Sequence, residues 1–98
     1  MFDQMKKLME MKQQAEKIKR KLEASLIEVK DIDGITIVVD GAQNFHSLTI
    51  DERFLTVERK PSLEKDLVKG LNKAIVKSQA LAAEQMKQVM GLGGLPGF

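Results

Sequence analysis

Between Phe2 and Ser25 the apolar residues Leu8, Met11, Ala15, Ile18 and Leu22 recur in steps of three and four, with no Pro or Gly among them. That spacing lays them along one stripe of an α-helix over residues 2–25. Asp3 near its start and Lys19, Arg20 and Lys21 near its end suit the helix dipole. At about 1.5 Å per residue the helix runs on the order of 35 Å, longer than a small sheet can cover. Part of its stripe should therefore pack on something outside its own subunit.

The period then changes from helical to strand-like. Ile27, Val29 and Ile32 alternate with Glu28, Lys30 and Asp31, which predicts an edge strand over about 26–32. Asp33-Gly34 makes a tight turn into a run of β-branched residues, Ile35 to Val39, and a second strand over 34–40. The turn-rich Asp40 to Asn44 leads to a third strand over 45–51, with Leu48 and Ile50 on one face beside His46, and Phe45, Ser47 and Thr49 on the other. Three such strands in sequence form an antiparallel meander. The middle one has apolar groups on both faces, Ile35, Ile37 and Val39 against Val38, so both faces need cover. Asp51 is placed to cap a helical turn through Phe54.

Pro61-Ser62 marks the start of a second helix over 62–90, with Ser62 as N-cap and Glu64 and Asp66 in the first turn. Leu63, Leu67, Leu71, Ile75, Ala82, Met86 and Val89 give it an apolar face, and the internal Gly70 costs about 1 kcal/mol relative to Ala. Gly91 ends it, and residues 91–98, rich in Gly and Leu, read as a flexible tail. The fold class is α+β: one domain over residues 1–90, a three-stranded meander flanked by two long helices.

Composition narrows the chemistry. The 98 residues contain four Phe, no Trp, no Tyr and no Cys, so the core must come from aliphatic residues, and disulfides and thiolate sites are excluded. Apolar runs are far short of a membrane span and the first residues lack the apolar segment of a signal peptide, which predicts a soluble, cytoplasmic chain with no membrane partner. Net charge is +2, but it is unevenly placed: residues 1–25 carry seven Lys/Arg and four Asp/Glu, residues 26–61 four and seven, and residues 62–90 five and three. An anionic partner would meet the helices and not the sheet region.

The most regular charged feature is Lys65, Lys69, Lys73 and Lys77, one every four residues on the second helix, with no acid at any step of the series. Each step of four drifts by about 40° around the helix, so the ammonium groups form one slowly turning ridge. Such a ridge can follow a phosphate backbone; it can equally be an ordinary solvated face. On the first helix Lys6, Lys7, Lys17, Arg20 and Lys21 offer a second basic surface, although Glu10, Glu16 and Glu23 can pair within it. Few aromatics are available for base stacking, which favours contact with a duplex backbone. No constellation of nucleophile, base or metal ligands is present: His46 is the only histidine, and Asp31, Asp33, Asp40 and Asp51 match turn chemistry better than a cation loop. No catalytic residue, cofactor, metal or small-molecule substrate is assigned.

Across nearly its full length the chain resembles the YbaB/EbfC family of small bacterial nucleoid-associated proteins. The resemblance is carried by the Met/Gln/Lys-rich first helix (Met5-Lys6-Lys7-Leu8 through Gln13-Gln14-Ala15-Glu16), Val38 to Gly41, and Ser47-Leu48-Thr49-Ile50-Asp51. Leu67-Val68 with Leu71-Asn72-Lys73-Ala74, and Met86 followed by the Gly91 to Phe98 ending, complete it. It implies an α-β-β-β-α protomer, a homodimer built through the sheets, and protruding helices that bind DNA within the nucleoid, influencing chromosome organisation and gene expression. The sheet residues Ile35, Ile37, Val39, Leu48 and Ile50 would then face the partner copy. Two departures stand out: the turn at Asp33-Gly34 is shorter than the family's glycine-rich loop, and the second helix is less acidic at its start. A second architecture fits the same helix–hairpin–helix order: a prefoldin-like or adaptor module gripping other proteins through Met5, Met9 and Met11.

Overall fold

A run of alternating β-branched residues is stable only where neighbours take up its backbone groups on both edges, and the strand from Ile35 to Asp40 occupies that central place. In a computed structural model, which describes residues 2–91, the order is α1 (Phe2–Glu23), β1 (Leu26–Ile32), β2 (Ile35–Asp40), β3 (Phe45–Ile50), a short 3-10 turn (Glu52–Phe54) and α2 (Lys60–Gly91). The three strands form one antiparallel sheet in the order β1-β2-β3. This is the α-β-β-β-α meander expected from the pattern, with strand ends within a residue of those predicted. The β1–β2 connection is the two-residue turn Asp33-Gly34, and Gly34 has φ 81, a left-handed conformation that favours glycine.

One face of the sheet is covered by α2. Val29, Ile35, Ile37, Val39 and Ala74 are buried there, and Ile27, Ile32, Leu63, Leu67 and Leu71 pack around them. Each aliphatic side chain taken fully out of water contributes about 1.5–3 kcal/mol, so this small cluster carries most of the stability. Gly70 belongs to this contact. A Cβ there would lie 3.0 Å from Ile37 Cδ1 and 3.3 Å from Ile32 Cδ1, so its absence lets the helix sit close on the sheet. The propensity cost of a mid-helix glycine is thereby offset by packing.

Three local expectations are corrected. First, α2 begins at Lys60, with Leu63 N–H donating to the Arg59 carbonyl at 2.8 Å. Ser62 therefore lies inside the helix instead of capping it, and no acid stands in the first turn. Pro61 is tolerated there because the first-turn N–H groups have no intrahelical partner. Second, α1 stops at Glu23: Ser25 turns its hydroxyl back onto the Lys21 carbonyl at 2.7 Å. Third, Ile35, Ile37 and Val39 are not open to a partner copy, because α2 of their own protomer already covers them. Of the five residues assigned to a dimer interface, Leu48 is half exposed and Ile50 partly so. The predicted tail falls almost wholly on residues 92–98, outside the described residues.

The opposite sheet face carries Thr36, Val38, Ser47 and Thr49, all partly or fully exposed. Helix α1 has no buried residue. Its inner end, Ile18 and Leu22, is partly covered, while Met5, Leu8, Met9 and Met11 stand in solvent. The chain is accordingly elongated, with extents of 66 × 18 × 17 Å and a radius of gyration of 18.8 Å. A compact domain of this length would have a radius of about 13 Å.

Candidate nucleic-acid interface

The basic residues of α1 are arranged by helix geometry alone. At about 100° per residue, Lys6, Lys7, Lys17, Arg20 and Lys21 fall within an arc of about 140°. That arc lies beside the Leu8, Ile18 and Leu22 stripe. All five are exposed. Two i,i+4 ion pairs occur on the helix, Arg20 with Glu16 at 3.9 Å and Lys19 with Glu23 at 4.0 Å. Both are long and solvent-exposed, and such pairs contribute between nothing and about 1 kcal/mol. Among the described residues, no acid lies within ion-pair distance of Lys6, Lys7, Lys17 or Lys21.

The lysine ladder of α2 divides into two halves. Lys65 and Lys69 are exposed and have no acidic partner among the described residues. Lys73 and Lys77 are half-covered and converge on Asp31 of β1, with Lys77 Nζ donating to Oδ1 at 2.8 Å and Lys73 Nζ 3.9 Å from Oδ2. The ladder that is regular in sequence is thus interrupted in space by an acid from another element. The cause is the slow drift of a four-residue repeat, which carries the later lysines round toward the edge of the sheet. The pairing register of β1 slips between Val29 and Ile32, so Ile32 reaches the core while Asp31 is left at the edge. Asp31 is held below the ordinary carboxylate range, first by its bond to Lys77 and further by the charges of Lys77 and Lys73, against a smaller cost of burial.

A junction that residue types did not reveal ties the two basic helices to the sheet. The β2–β3 connection runs from Asp40 to Asn44, and Gln43 takes the left-handed conformation with φ 66 that commonly closes three-residue hairpin loops. The Asp40 carboxylate is buried and accepts from Ala42 N at 2.8 Å, Asn44 N at 3.0 Å and the Asn44 amide at 3.1 Å, with His46 Nε2 at 2.9 Å. Burial works against its charge, but these bonds outweigh it and bring the group down to about 2. From α2 the buried Ser78 donates to the Asp40 carbonyl at 2.7 Å and accepts from Gln43 N at 3.1 Å. From the other side Gly41 N–H donates to the Leu22 carbonyl at 2.9 Å at the end of α1. A Cβ on Gly41 would meet Leu22 Cδ2 at 2.9 Å and Leu81 Cδ2 at 3.2 Å, so both helices close on this one glycine.

His46 is the residue left over where the β2–β3 register slips between Val38 and Val39, and its ring turns onto Asp40. Its role is to complete the loop's polar network. Asp40 and Asp51 do the turn chemistry expected of them, Asp51 accepting from Arg53 N at 3.0 Å. Asp31 does not; it is an ion-pair residue.

These features define a class: an open α+β scaffold whose charged chemistry lies on outward helix faces held at a fixed junction. The chain belongs to the YbaB/EbfC DNA-binding family, which matches it over residues 1–94. A protein of Ruminiclostridium cellulolyticum named nucleoid-associated protein is 32% identical over 96 residues, covering 96% of this chain and 84% of that one. Another so named from Flavobacterium johnsoniae is 34% identical over 97 residues, covering 96% and 90%. The crystal structure of an uncharacterized Helicobacter pylori protein superposes with a TM-score of 0.67 at 21% identity, covering 92% of both chains, which shows a shared fold. No described helix is long and apolar enough to cross a membrane.

Proposed function

We propose that the chain is a non-enzymatic, nucleoid-associated protein that binds duplex DNA as a homodimer through its basic helix faces and so influences chromosome organisation and gene expression. The observation that carries this is the arc of exposed basic residues on α1, joined by Lys65 and Lys69 on α2. The family and the names of its two relatives support the ligand. Lys6, Lys7, Lys17, Arg20 and Lys21, with the ladder from Lys65 to Lys77, are the contacts, and they address phosphates without reading bases. A second copy would meet the open sheet face and the free β3 edge, where Phe45 and Leu48 are about half exposed. An unpaired strand edge of this kind invites another strand.

The test is a duplex titration across a salt series, beside a solution mass. Log affinity should fall with log salt by about 0.9 for each phosphate contacted. Replacing Lys6, Lys17 and Lys21 together by Gln should flatten that dependence by about two to three units. Absence of binding at low salt, or a slope indifferent to these changes, would remove the reading. The exposed Met5, Leu8, Met9 and Met11 favour a second reading, an adaptor that grips proteins; saturable binding of an unfolded client in place of duplex would select it.

A further inference from the structure

We infer that Asp31 is an internal competitor for the anionic ligand: it occupies Lys73 and Lys77 in the unbound protein, and the inner half of the ladder reaches phosphate only when that carboxylate is displaced. This rests on the DNA-binding reading above and adds its regulation. One carboxylate faces two ammonium groups, at 2.8 and 3.9 Å, across 46 and 42 positions of sequence. The contact is therefore a product of the fold and not of neighbouring residues on one helix.

Three observations mark it as more than a chance surface pair. The register slip in β1 sets Asp31 at the sheet edge while its neighbour Ile32 returns to the core, so the carboxylate is held by packing on the residue beside it. Asp31, Lys73 and Lys77 line an open groove of about 360 Å³ with Lys69, Asn72 and Val76, so a phosphate backbone following the ladder from Lys69 would run past the carboxylate and both lysines it holds. Finally, Lys65 and Lys69 have no such restraint, so the ladder has a free outer half and a restrained inner half on one helix. A first encounter through the free half would bring phosphate beside Lys73 and Lys77, where it competes with a carboxylate in aqueous surroundings. Exposed ion pairs are weak enough to exchange partners in that way.

The experiment measures duplex affinity and its salt slope for the full chain, Asp31→Asn, Lys73→Gln/Lys77→Gln, the triple variant, and Glu84→Gln. Glu84 is exposed on α2 and its substitution makes the same charge change. Circular dichroism melts establish that each variant is folded. Asp31→Asn should tighten binding about two- to fivefold near 0.1 M salt and steepen the slope by about one to two units. Glu84→Gln should do measurably less, and once Lys73 and Lys77 are Gln the gain from Asp31→Asn should fall to that of Glu84→Gln. An Asp31→Asn gain equal to that of Glu84→Gln in the otherwise unsubstituted chain, or one that survives undiminished in the triple variant, overturns the competitor role while leaving DNA binding standing. Failure of the unsubstituted chain to bind duplex at low salt overturns both.

Discussion

Helices α1 and α2 have nearly the same pattern on paper, an apolar stripe with lysines on the other side, yet they stand in opposite relations to the sheet. Helix α2 buries Ala74 and Ser78 completely and brings Leu63, Leu67 and Leu71 onto the core, whereas α1 buries nothing. The difference lies in what each stripe finds. The stripe of α2 meets the inner face of β2, so its burial contributes to folding of the single chain. That of α1 meets its own protomer only at the inner end and leaves Phe2, Met5, Leu8 and Met9 largely exposed. Amphipathic periodicity thus reports that a face needs covering, but not by what.

The largest effect that tests this contrast comes from paired truncations. Ile37, 1% exposed beneath α2, should cost about 2–5 kcal/mol on replacement by Ala, enough to unfold so small a domain in part. Leu8, 66% exposed, should cost less than about 0.5 kcal/mol in dilute solution. Denaturant melts at two protein concentrations sharpen the comparison. A Leu8→Ala cost that grows with concentration would show that a second copy covers the stripe, since a partner stabilises by mass action. A large, concentration-independent cost would contradict the exposed placement of α1.

The junction at Gly41 comes next, because there both helices are fixed to the same loop. Gly41→Ala pushes a methyl against Leu22 Cδ2 and the Leu22 carbonyl, at 2.9 and 3.1 Å, and should cost about 1–3 kcal/mol. Ser78→Ala removes one donor and one acceptor from the same loop and should cost about 1–3 kcal/mol. If the junction sets the relation of the two basic helices, both variants should weaken duplex binding more than they lower stability in the temperature range where they remain folded. Binding unchanged in the folded variants would separate the junction from the interface.

How much of this was legible in the sequence follows from the range of each interaction. The stripe of α2, the two-residue turn at Gly34 and the capping of the 3-10 turn by Asp51 are local, and their periods and turn residues predicted them. Ser78 was not legible, because a serine at a core position announces a partner without naming one, and its partner is a carbonyl 38 positions away. Asp31 misled for the same reason: none of the sequence-local ion pairs of α2 involves Lys73 or Lys77, and the acid that takes them arrives from another strand. Asp40 could have been found. An Asp opening a Gly-Ala-Gln-Asn turn is the arrangement in which a carboxylate takes up the loop's own N–H groups. The placement of Ile35, Ile37 and Val39 could not, since a strand apolar on both faces does not say which face its own helix takes.

Two of the depressed carboxylates, Asp40 and Asp51, allow a pH test of the same contrast between buried and exposed regions. Asp40 is brought to about 2 and Asp51 to about 2 from an ordinary 3.8, so each contributes stability that is present above about pH 4 and lost as the pH falls toward 2. For Asp51 the cause is first the bond from the exposed Arg53 side chain, 2.7 Å at its shortest, and then the Arg53 backbone N–H. For Asp40, burial opposes ionisation and is overcome mainly by the Asn44 backbone N–H, His46 and the Asn44 amide. Acid titration of Asp40→Asn and Asp51→Asn should therefore each remove part of the stability change between pH 4 and 2. In 1 M salt, which screens the exposed Asp51–Arg53 pair far more than a buried group, the Asp51 share should shrink and the Asp40 share should persist. Equal salt sensitivity of the two would show that Asp40 is held by charge and not by its loop.

The smallest effect concerns the loop itself. Gln43 sits at φ 66, a conformation that L side chains adopt at a cost, and its side chain is exposed. Gly relieves that cost but has more freedom to lose on folding, so the two contributions oppose each other. At a left-handed position the first should win, and Gln43→Gly should raise stability by a few tenths to about 1 kcal/mol. The same substitution leaves Gln43 N–H free to donate to Ser78, so the tether to α2 is retained. A melt showing destabilisation would mean that the loop tolerates Gln43 because its side chain restrains the unfolded chain more than the turn strains it. Stabilisation without any change in duplex affinity would place the strain in the scaffold and keep the basic helix faces independent of it.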